Sequence, residues 1–329
     1  MLTWDDGLRI TGTDIYLDSR RGRARSFISH GHTDHLGPHD LAWCTRETAE
    51  LFERRITVGR CHHLAYREPL DLDADTRLTL YPAGHVLGSA MALVERHEGR
   101  LLYTGDYKLR TSLTSPTAEL PEADVLVMES TFGRPDFRFP PWRTIADELV
   151  TLCEQALRDG RQPIVYGYAL GKAQEAVRIL TDAGLPVTEH GAVRLLSDTY
   201  ERLGVPLGPR RAYAAGDFHG AKQLDVRERG VLVAPPQSAR AAFTARFEKP
   251  VRIMLSGWAM MSGAVYRYGV DHCLPISDHA DFDDLLRTID IVRPKRVYPT
   301  HGFKGFVDEL RKRGIDARPA KPEAQLELF

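Results

Sequence analysis

Cysteine is scarce in this chain: Cys44, Cys61, Cys153 and Cys273 are all there is in 329 residues, and no two of them form a C-x-x-C pair. Such scattered spacing argues against a disulfide framework, and reads as buried thiols in a reducing compartment. No run approaches the roughly 18 apolar residues that a membrane helix needs. The opening M-L-T-W-D-D-G has no basic stretch leading into an apolar one, so no signal peptide is expected. The expected location is the cytoplasm, with no membrane partner. An excess of charge of one sign is also missing, since 44 Lys and Arg face 45 Asp and Glu. A net charge of −1 neither demands nor excludes a nucleic-acid partner. Low-complexity tracts and internal repeats are absent, and 43% hydrophobic with 27% charged residues is the composition of a soluble globular protein. The length points to two domains, or to one carrying a large insertion.

What is present changes style along the chain. The first third reads as short strands (Asp14–Ser19, Arg25–His30, Arg77–Gly84), with a hairpin of Ala90–Arg96 and Arg100–Gly105 around His97–Gly99, and a buried strand Ala123–Ser130. Thr45–Thr57 is a helical pattern opened by a Thr cap. From about Phe137 helices alternate with strands: helix Arg143–Arg158, strand Pro163–Ala169, helix Gly171–Asp182, strand Pro186–Glu189, helix Val193–Leu203, then strands Gly230–Ala234 and Val251–Ser256. That alternation predicts βαβ units on a parallel sheet. After about Gly269 the first style returns. The pattern predicts one β-rich domain split by an inserted α/β domain.

The segment Ser29–Gly37, S-H-G-H-T-D-H-L-G, places His30, His32, Asp34 and His35 within six residues just after an apolar run. His at i and i+2 on a tight turn can grip one metal and leave Asp34 and His35 for a second, a nitrogen and oxygen donor set without thiolate. Further segments end strands with a ligand-type residue beside glycine or in a turn: His85 in P-A-G-H-V-L-G-S-A, Asp106 in Y-T-G-D-Y-K, His279 in I-S-D-H-A-D and His301 in Y-P-T-H-G. The two oxygens of Asp106 could bridge two ions, and strand ends flanked by glycine suit a rigid site with close backbone approach.

These motifs, together with E-S-T-F-G at Glu129–Gly133 and Y-A-L-G-K-A-Q at Tyr168–Gln174, resemble the β-CASP nucleases of the metallo-β-lactamase fold over nearly the whole chain. Within that group the likeness is greatest to the bacterial ligase-associated DNA exonucleases. The resemblance implies an α/β fold, a metallo-β-lactamase αββα sandwich split by a β-CASP insertion. The sandwich would occupy 1–134 and 270–320, the insertion 135–269, and a tail 321–329. It also implies that His30, His32 and His85 hold one metal and that Asp34, His35 and His301 hold another, with Asp106 bridging. Asp18 would orient ligand histidines from behind. Glu129 and His279 match the motifs that define the β-CASP group, His279 as general acid polarised by Glu129. Two ions about 3.5–4 Å apart would activate water against a phosphodiester and neutralise the developing charge. Zn²⁺ suits the donors, and Mn²⁺ fits them equally in ligand type.

The implied activity is a metal-dependent DNA exonuclease of repair, with Asp34, His279 and Glu129 in its catalytic group. The alternatives are an RNA-processing β-CASP ribonuclease and a small-molecule metallo-hydrolase. Lys172, at a strand-to-helix turn, could receive a phosphate or be an ordinary solvated lysine. Phe132, Phe137, Phe139, Trp142, Trp258, Tyr266 and Tyr268 are aromatic candidates for base stacking or for the core. The final Q-L-E-L-F resembles the bacterial sliding-clamp-binding pentapeptide, with Gln325, Leu326, Leu328 and Phe329 as its contacts, or else is a terminal hook on the protein's own core. The resemblance further implies DNA ligase and helicase pathway partners.

Overall fold

A computed structural model describes residues 1–53, 58–219, 223–236, 243, 247 and 249–321. The chain divides into two compact units. The first holds 1–111, 115–138 and the chain from His279 onward, and the second holds 112–114 and 139–278.

The first unit opens with six strands, β1 (Leu2–Trp4), β2 (Leu8–Ile10), β3 (Ile15–Leu17), β4 (Arg25–Phe27), β5 (Leu41–Cys44) and β6 (Arg60–His63), which form one sheet in that order. The pairs β1/β2 and β2/β3 are antiparallel, and the rest are parallel. Helix α1 (Arg46–Phe52) is capped by Thr45, whose hydroxyl accepts from the Thr48 amide, as the Thr-led pattern predicted. The last residues assigned to that helix from sequence, 54–57, lie outside the described ones. A second sheet adds β7 (Pro69–Asp71), β8 (Arg77–Pro82), β9 (Ala90–Arg96), β10 (Gly99–Tyr103) and β11 (Val125–Glu129). The predicted hairpin is β9/β10, with Gly99 opposite Arg96.

The second unit is an α/β layer structure. Helices α2 (Trp142–Arg158), α3 (Lys172–Asp182), α4 (Gly191–Arg202), α5 (Ala215–Phe218), α6 (Val226–Arg229) and α7 (Ala264–Tyr268) accompany the strands β12 (Pro163–Tyr166), β13 (Val187–Glu189), β14 (Arg211–Ala212), β15 (Val231–Ala234), β16 (Val251–Leu255) and β17 (His272–Leu274). Every pairing is parallel, in the order β14-β13-β15-β12-β16-β17. A parallel sheet covered on both faces needs continuously apolar strands, and β12 (P-I-V-Y) and β15 (V-L-V-A) are buried at every position.

The chain then returns to the first unit with α8 (Phe282–Val292), β18 (Arg296–Thr300) and α9 (Gly305–Lys312). Strand β18 pairs with β11 and completes the second sheet, β18-β11-β10-β9-β8-β7. Alternation along β9 shows how the layers stack. Ala90, Ala92 and Val94 face the first sheet among Phe27, Trp43 and Leu17, while Met91 and Leu93 face Phe282, Leu285, Phe306 and Leu310 of α8 and α9. On the far face of the first sheet, Ile28, Ala42 and Cys44 pack with Ala49 and Phe52 of α1. The unit is therefore a helix-sheet-sheet-helix sandwich. Among the described residues no helix is long and apolar enough to cross a membrane.

Candidate metal centre

The site is built where strands of the two facing sheets end. Strand β3 is followed directly by Asp18, which takes a left-handed backbone (φ 48°) and turns its carboxylate under the histidine loop. Four donors converge on that carboxylate: the Ser29 amide (2.7 Å), the Ser29 hydroxyl (2.5 Å), His35 Nδ1 (2.8 Å) and the Tyr103 hydroxyl (2.8 Å). Ser29 Oγ also lies 2.9 Å from His30 Nδ1. Its single proton goes to Asp18, which as a carboxylate only accepts, so His30 Nδ1 must carry a proton and Nε2 must present a lone pair. The same logic holds for His35, whose Nδ1–H is committed to Asp18. One carboxylate thus sets the tautomer of two histidines. Gly105 (φ 55°) makes room, because a Cβ there would meet Ser29 Cβ and Oγ at 2.6 Å.

His32 Nδ1 sits 3.0 Å from His30 Nε2 and 3.0 Å from His85 Nε2. Asp106 Oδ2 lies 3.7 Å from His30 Nε2 and 3.9 Å from His85 Nε2. Ligand atoms of His30, His32, His85 and Asp106 all fall within 4.8 Å of one another. Burial, then the neighbouring His35, His85 and His32, hold the His30 imidazole well below its ordinary range and so neutral. Three imidazole nitrogens and a carboxylate oxygen facing one point are the donors of a tetrahedral divalent cation. The residues fit the metal that the fold implies.

A second group shares Asp106. Its Oδ2 is 3.4 Å from His35 Nε2, and Asp34 Oδ2 is 3.9 Å from that same nitrogen. Burial opposes charge on His35, but Asp106 and Asp18 outweigh it and raise its pKa well above the ordinary value. Burial alone would push the Asp106 carboxyl up, yet His35 and His279 draw it well below the usual range. This is a pocket of buried negative charge compensated by histidine, the environment a cation would take over. The second group is looser than the first. The Asp34 side chain is 67% exposed, and the exposed His301 ring has its centroid 5.9 Å from that of His35.

The E-S-T motif that follows β11 ties the remaining pieces together. Glu129 is buried, and both of its oxygens lie 2.9 Å from His279 Nδ1. The Tyr107 amide (2.9 Å) and the Thr131 hydroxyl (2.5 Å) donate to Glu129 and fix it. Ser130 Oγ donates to the Thr300 carbonyl (3.1 Å) and to the His301 carbonyl. The His301 turn is strained into φ 48° and then Gly302 at φ 99°, where a Cβ would stand 1.9 Å from the Ser130 carbonyl. Ser29, Tyr103, Ser130 and Thr131 were not singled out from sequence. Their signal was adjacency: Ser29 precedes His30, Ser130 and Thr131 follow Glu129, and Tyr103 stands three residues before Asp106.

Lys172 requires a correction. It was expected either to meet a phosphate or to be solvated, but it is buried, and its ammonium pairs with Asp278 Oδ2 at 3.2 Å. The cation is consumed internally because a buried ammonium without a counter-charge would be costly. Two of the aromatic candidates, Phe132 and Phe137, are core residues. Gln325, Leu326, Leu328 and Phe329 lie outside the described residues.

Comparison with known proteins agrees with this architecture. Residues 266–321 match the family model of the Zn-dependent metallo-hydrolase RNA specificity domain. A "Probable DNA ligase" of Opitutus terrae is 39% identical across 99% of this chain, and the chain spans 32% of that relative. An "RNase J-like protein" of Methanocaldococcus jannaschii is 29% identical over 47% of this chain and 42% of its own length. The "Transcription termination factor FttA" of Methanothermobacter thermautotrophicus is 38% identical over 47% of this chain and 30% of its own. The chain thus spans between about a third and two fifths of these relatives. Sandwich, interrupting parallel-sheet unit and kinship point the same way, to a metallo-β-lactamase fold with a β-CASP insertion.

Proposed function

We propose that this chain is a metal-dependent nuclease that hydrolyses phosphodiester bonds of DNA from an end, in repair. The observation that carries the hydrolytic reading is the convergence of His30, His32, His85 and Asp106 on one point beside the buried Glu129–His279 pair. His30, His32, His85 and Asp106 would hold one divalent cation, and Asp34, His35, Asp106 and His301 a second. Zn²⁺, or Mn²⁺, when bound there supplies Lewis acidity toward a phosphate and a water nucleophile at neutral pH. The protein's own part is positional and protonic. Asp18 and Ser29 keep His30 and His35 in the tautomers that direct Nε2 inward. Glu129 holds the proton of His279 on Nδ1 and stabilises the imidazolium, so that His279 Nε2 can pass its proton to the departing oxygen.

DNA is favoured by the relative that matches along 99% of the chain, whose name is that of a probable DNA ligase. A second reading, RNA cleavage, is supported by the RNase-named relative and by the family description of residues 266–321. Digestion of 5′- and 3′-labelled single-stranded DNA and RNA with Zn²⁺ or Mn²⁺ decides between them, with His32→Ala as control. Loss of DNA label from one end is expected, and cleavage of RNA alone overturns the DNA reading. The ending Gln325–Phe329 is proposed as an address to a sliding clamp, with ligase and helicase pathway proteins as neighbours in repair. Its deletion should abolish clamp pull-down while short-oligonucleotide cleavage persists, and unchanged pull-down refutes it.

A further inference from the structure

The four free thiols divide by unit. Cys153 on α2 and Cys273 on β17 belong to the second, and Cys44 on β5 and Cys61 on β6 to the first. Cys44 and Cys61 stand 17 positions apart in sequence, yet their sulfurs lie 3.0 Å from each other. Strand register brings them together. Strands β5 and β6 run parallel with Ala42 opposite Cys61 and Cys44 opposite His63. Because side chains alternate along a strand, those four residues share one face of the sheet. The cysteines are diagonal neighbours on that face, where Cys44 packs with Ile28, Ala49 and Phe52.

Their surroundings give the two thiols different parts. Cys44 is fully buried, while Cys61, on the last strand of the sheet, is half-buried. The hydrogen bond to Cys61, and then burial, push the Cys44 thiol well up from its ordinary value. The same hydrogen bond holds Cys61 below the ordinary thiol range, against burial and Glu53. The attacking form of a cysteine is the thiolate, and it must be reachable. Cys61 meets both conditions, and its partner sulfur need approach by only about 1 Å to reach disulfide length.

The pair also sits at a structural junction. Thr45, next to Cys44, caps α1, and the hydroxyls of Thr45 (2.7 Å) and Thr48 (2.8 Å) both donate to the Gly88 carbonyl. Gly88 belongs to the turn after His85, whose amide donates to Ser89 Oγ (3.1 Å). Helix α1 thus clasps the loop that carries His85, and the chain from Cys44 to Cys61 contains that helix whole.

We propose that Cys44 and Cys61 form a dithiol site for small disulfides, which close the pair into a reversible staple across the α1 segment. Cys61 attacks one sulfur of R–S–S–R and expels RS⁻, leaving a mixed disulfide. Cys44 then gives up its proton, attacks the Cys61 sulfur and expels the second RS⁻. The protein loses two electrons and two protons, and the reagent is reduced to two RSH.

The test treats the full chain with oxidised glutathione, alkylates it under denaturing conditions and reads the digest by mass spectrometry. A Cys44–Cys61 cross-link lighter by two hydrogens is expected, reversed by dithiothreitol, with Cys153 and Cys273 still alkylated. Cys44→Ala should stop halfway and keep one glutathione on Cys61, and Cys61→Ser should take up none at Cys44. Oxidation should raise the thermal midpoint of the parent by about 5 °C, because the closed ring restricts the unfolded chain. The Cys61→Ser chain should show no such rise. Absence of the cross-link, or glutathione left resting on Cys61 of the parent, overturns the dithiol site. A midpoint that does not rise overturns the staple. The cross-link is read on the parent chain, so the test holds even if Cys44→Ala folds poorly.

Discussion

The two sides of the candidate centre are built differently. On the inner side His30, His32 and His85 are packed at 3.0 Å contacts, and His30 is held from behind by Ser29 and Asp18. On the outer side Asp34 is largely in solvent, and His301 is placed through its backbone, by Ser130 and the Gly302 turn. Precision at a metal site comes from the groups that fix its ligands. On the proposed two-ion reading, the inner position is therefore prepared by the fold, whereas the outer one joins two fixed groups, His35 and Asp106, to two looser ones, Asp34 and His301. The two should differ in affinity, and the difference can be attacked from either side.

The largest effect is expected from removing an inner ligand. His32→Ala should abolish metal at the inner position and cut hydrolysis by at least 10³-fold, the loss of several kcal/mol of charge stabilisation. Asp34→Ala should leave one equivalent bound, as measured by elemental analysis after dialysis. If both variants lose metal together, the contrast between inner and outer positions is wrong. Next comes the proton donor. His279→Ala and Glu129→Gln should lower kcat by about 10²-fold while metal content stays at the parent value. Loss of metal in either would make the pair a ligand set, consistent with the closeness of Asp106, Glu129 and His279.

A smaller effect probes the support itself. Asp18→Asn should weaken metal binding at both positions, in total about 10- to 100-fold, and Ser29→Ala about tenfold at the inner position alone, since Ser29 relays Asp18 to His30 while Asp18 also holds His35. Titration with a chelator of known affinity reads both. Equal losses in the two variants would mean that the His35 contact carries nothing.

What could be read from the sequence follows the same division. The grouping of the strand-end residues was legible because H-x-H-x-D-H packs four ligand-type residues into six positions, and because glycines mark the close approaches at Asp106 and His301. The hairpin and the α/β alternation were legible from period and apolar runs. Strands β5 and β6 escaped because L-A-W-C and R-C-H-H are four residues long and their pairing is set by tertiary contact. The helix-sheet-sheet-helix stacking was expected from resemblance alone, since nothing in the alternation of β9 says which face meets a sheet and which meets α8. Lys172 was misread because a βα turn with a lysine looks like a phosphate site until its partner, Asp278, is found 106 positions along the chain. Long-range pairing of charges leaves no local trace.

The contrast between compensated and uncompensated acids extends beyond the centre and gives the smallest prediction. Asp106 is drawn down by histidines, but Asp284, in the first turn of α8, has Asp281 and Asp283 beside it. Burial first, and then Asp281, push its carboxyl up to about 6 from 3.8, against weaker help from Arg287. The folded chain thus holds this proton more tightly than the unfolded chain does. Its contribution to stability is full below about pH 4, falls as pH rises from 4 to 6, and stays low above that. Asp284→Asn removes the ionisation. Its urea midpoint should match the parent at pH 4 and exceed it at pH 7, by about 1 kcal/mol once partial exposure and screening are allowed for. The positive end of the α8 dipole works the other way, favouring the ionised form. A variant that is less stable than the parent at pH 7 would show that the dipole outweighs burial and the neighbouring carboxylates, and that Asp284 is compensated after all.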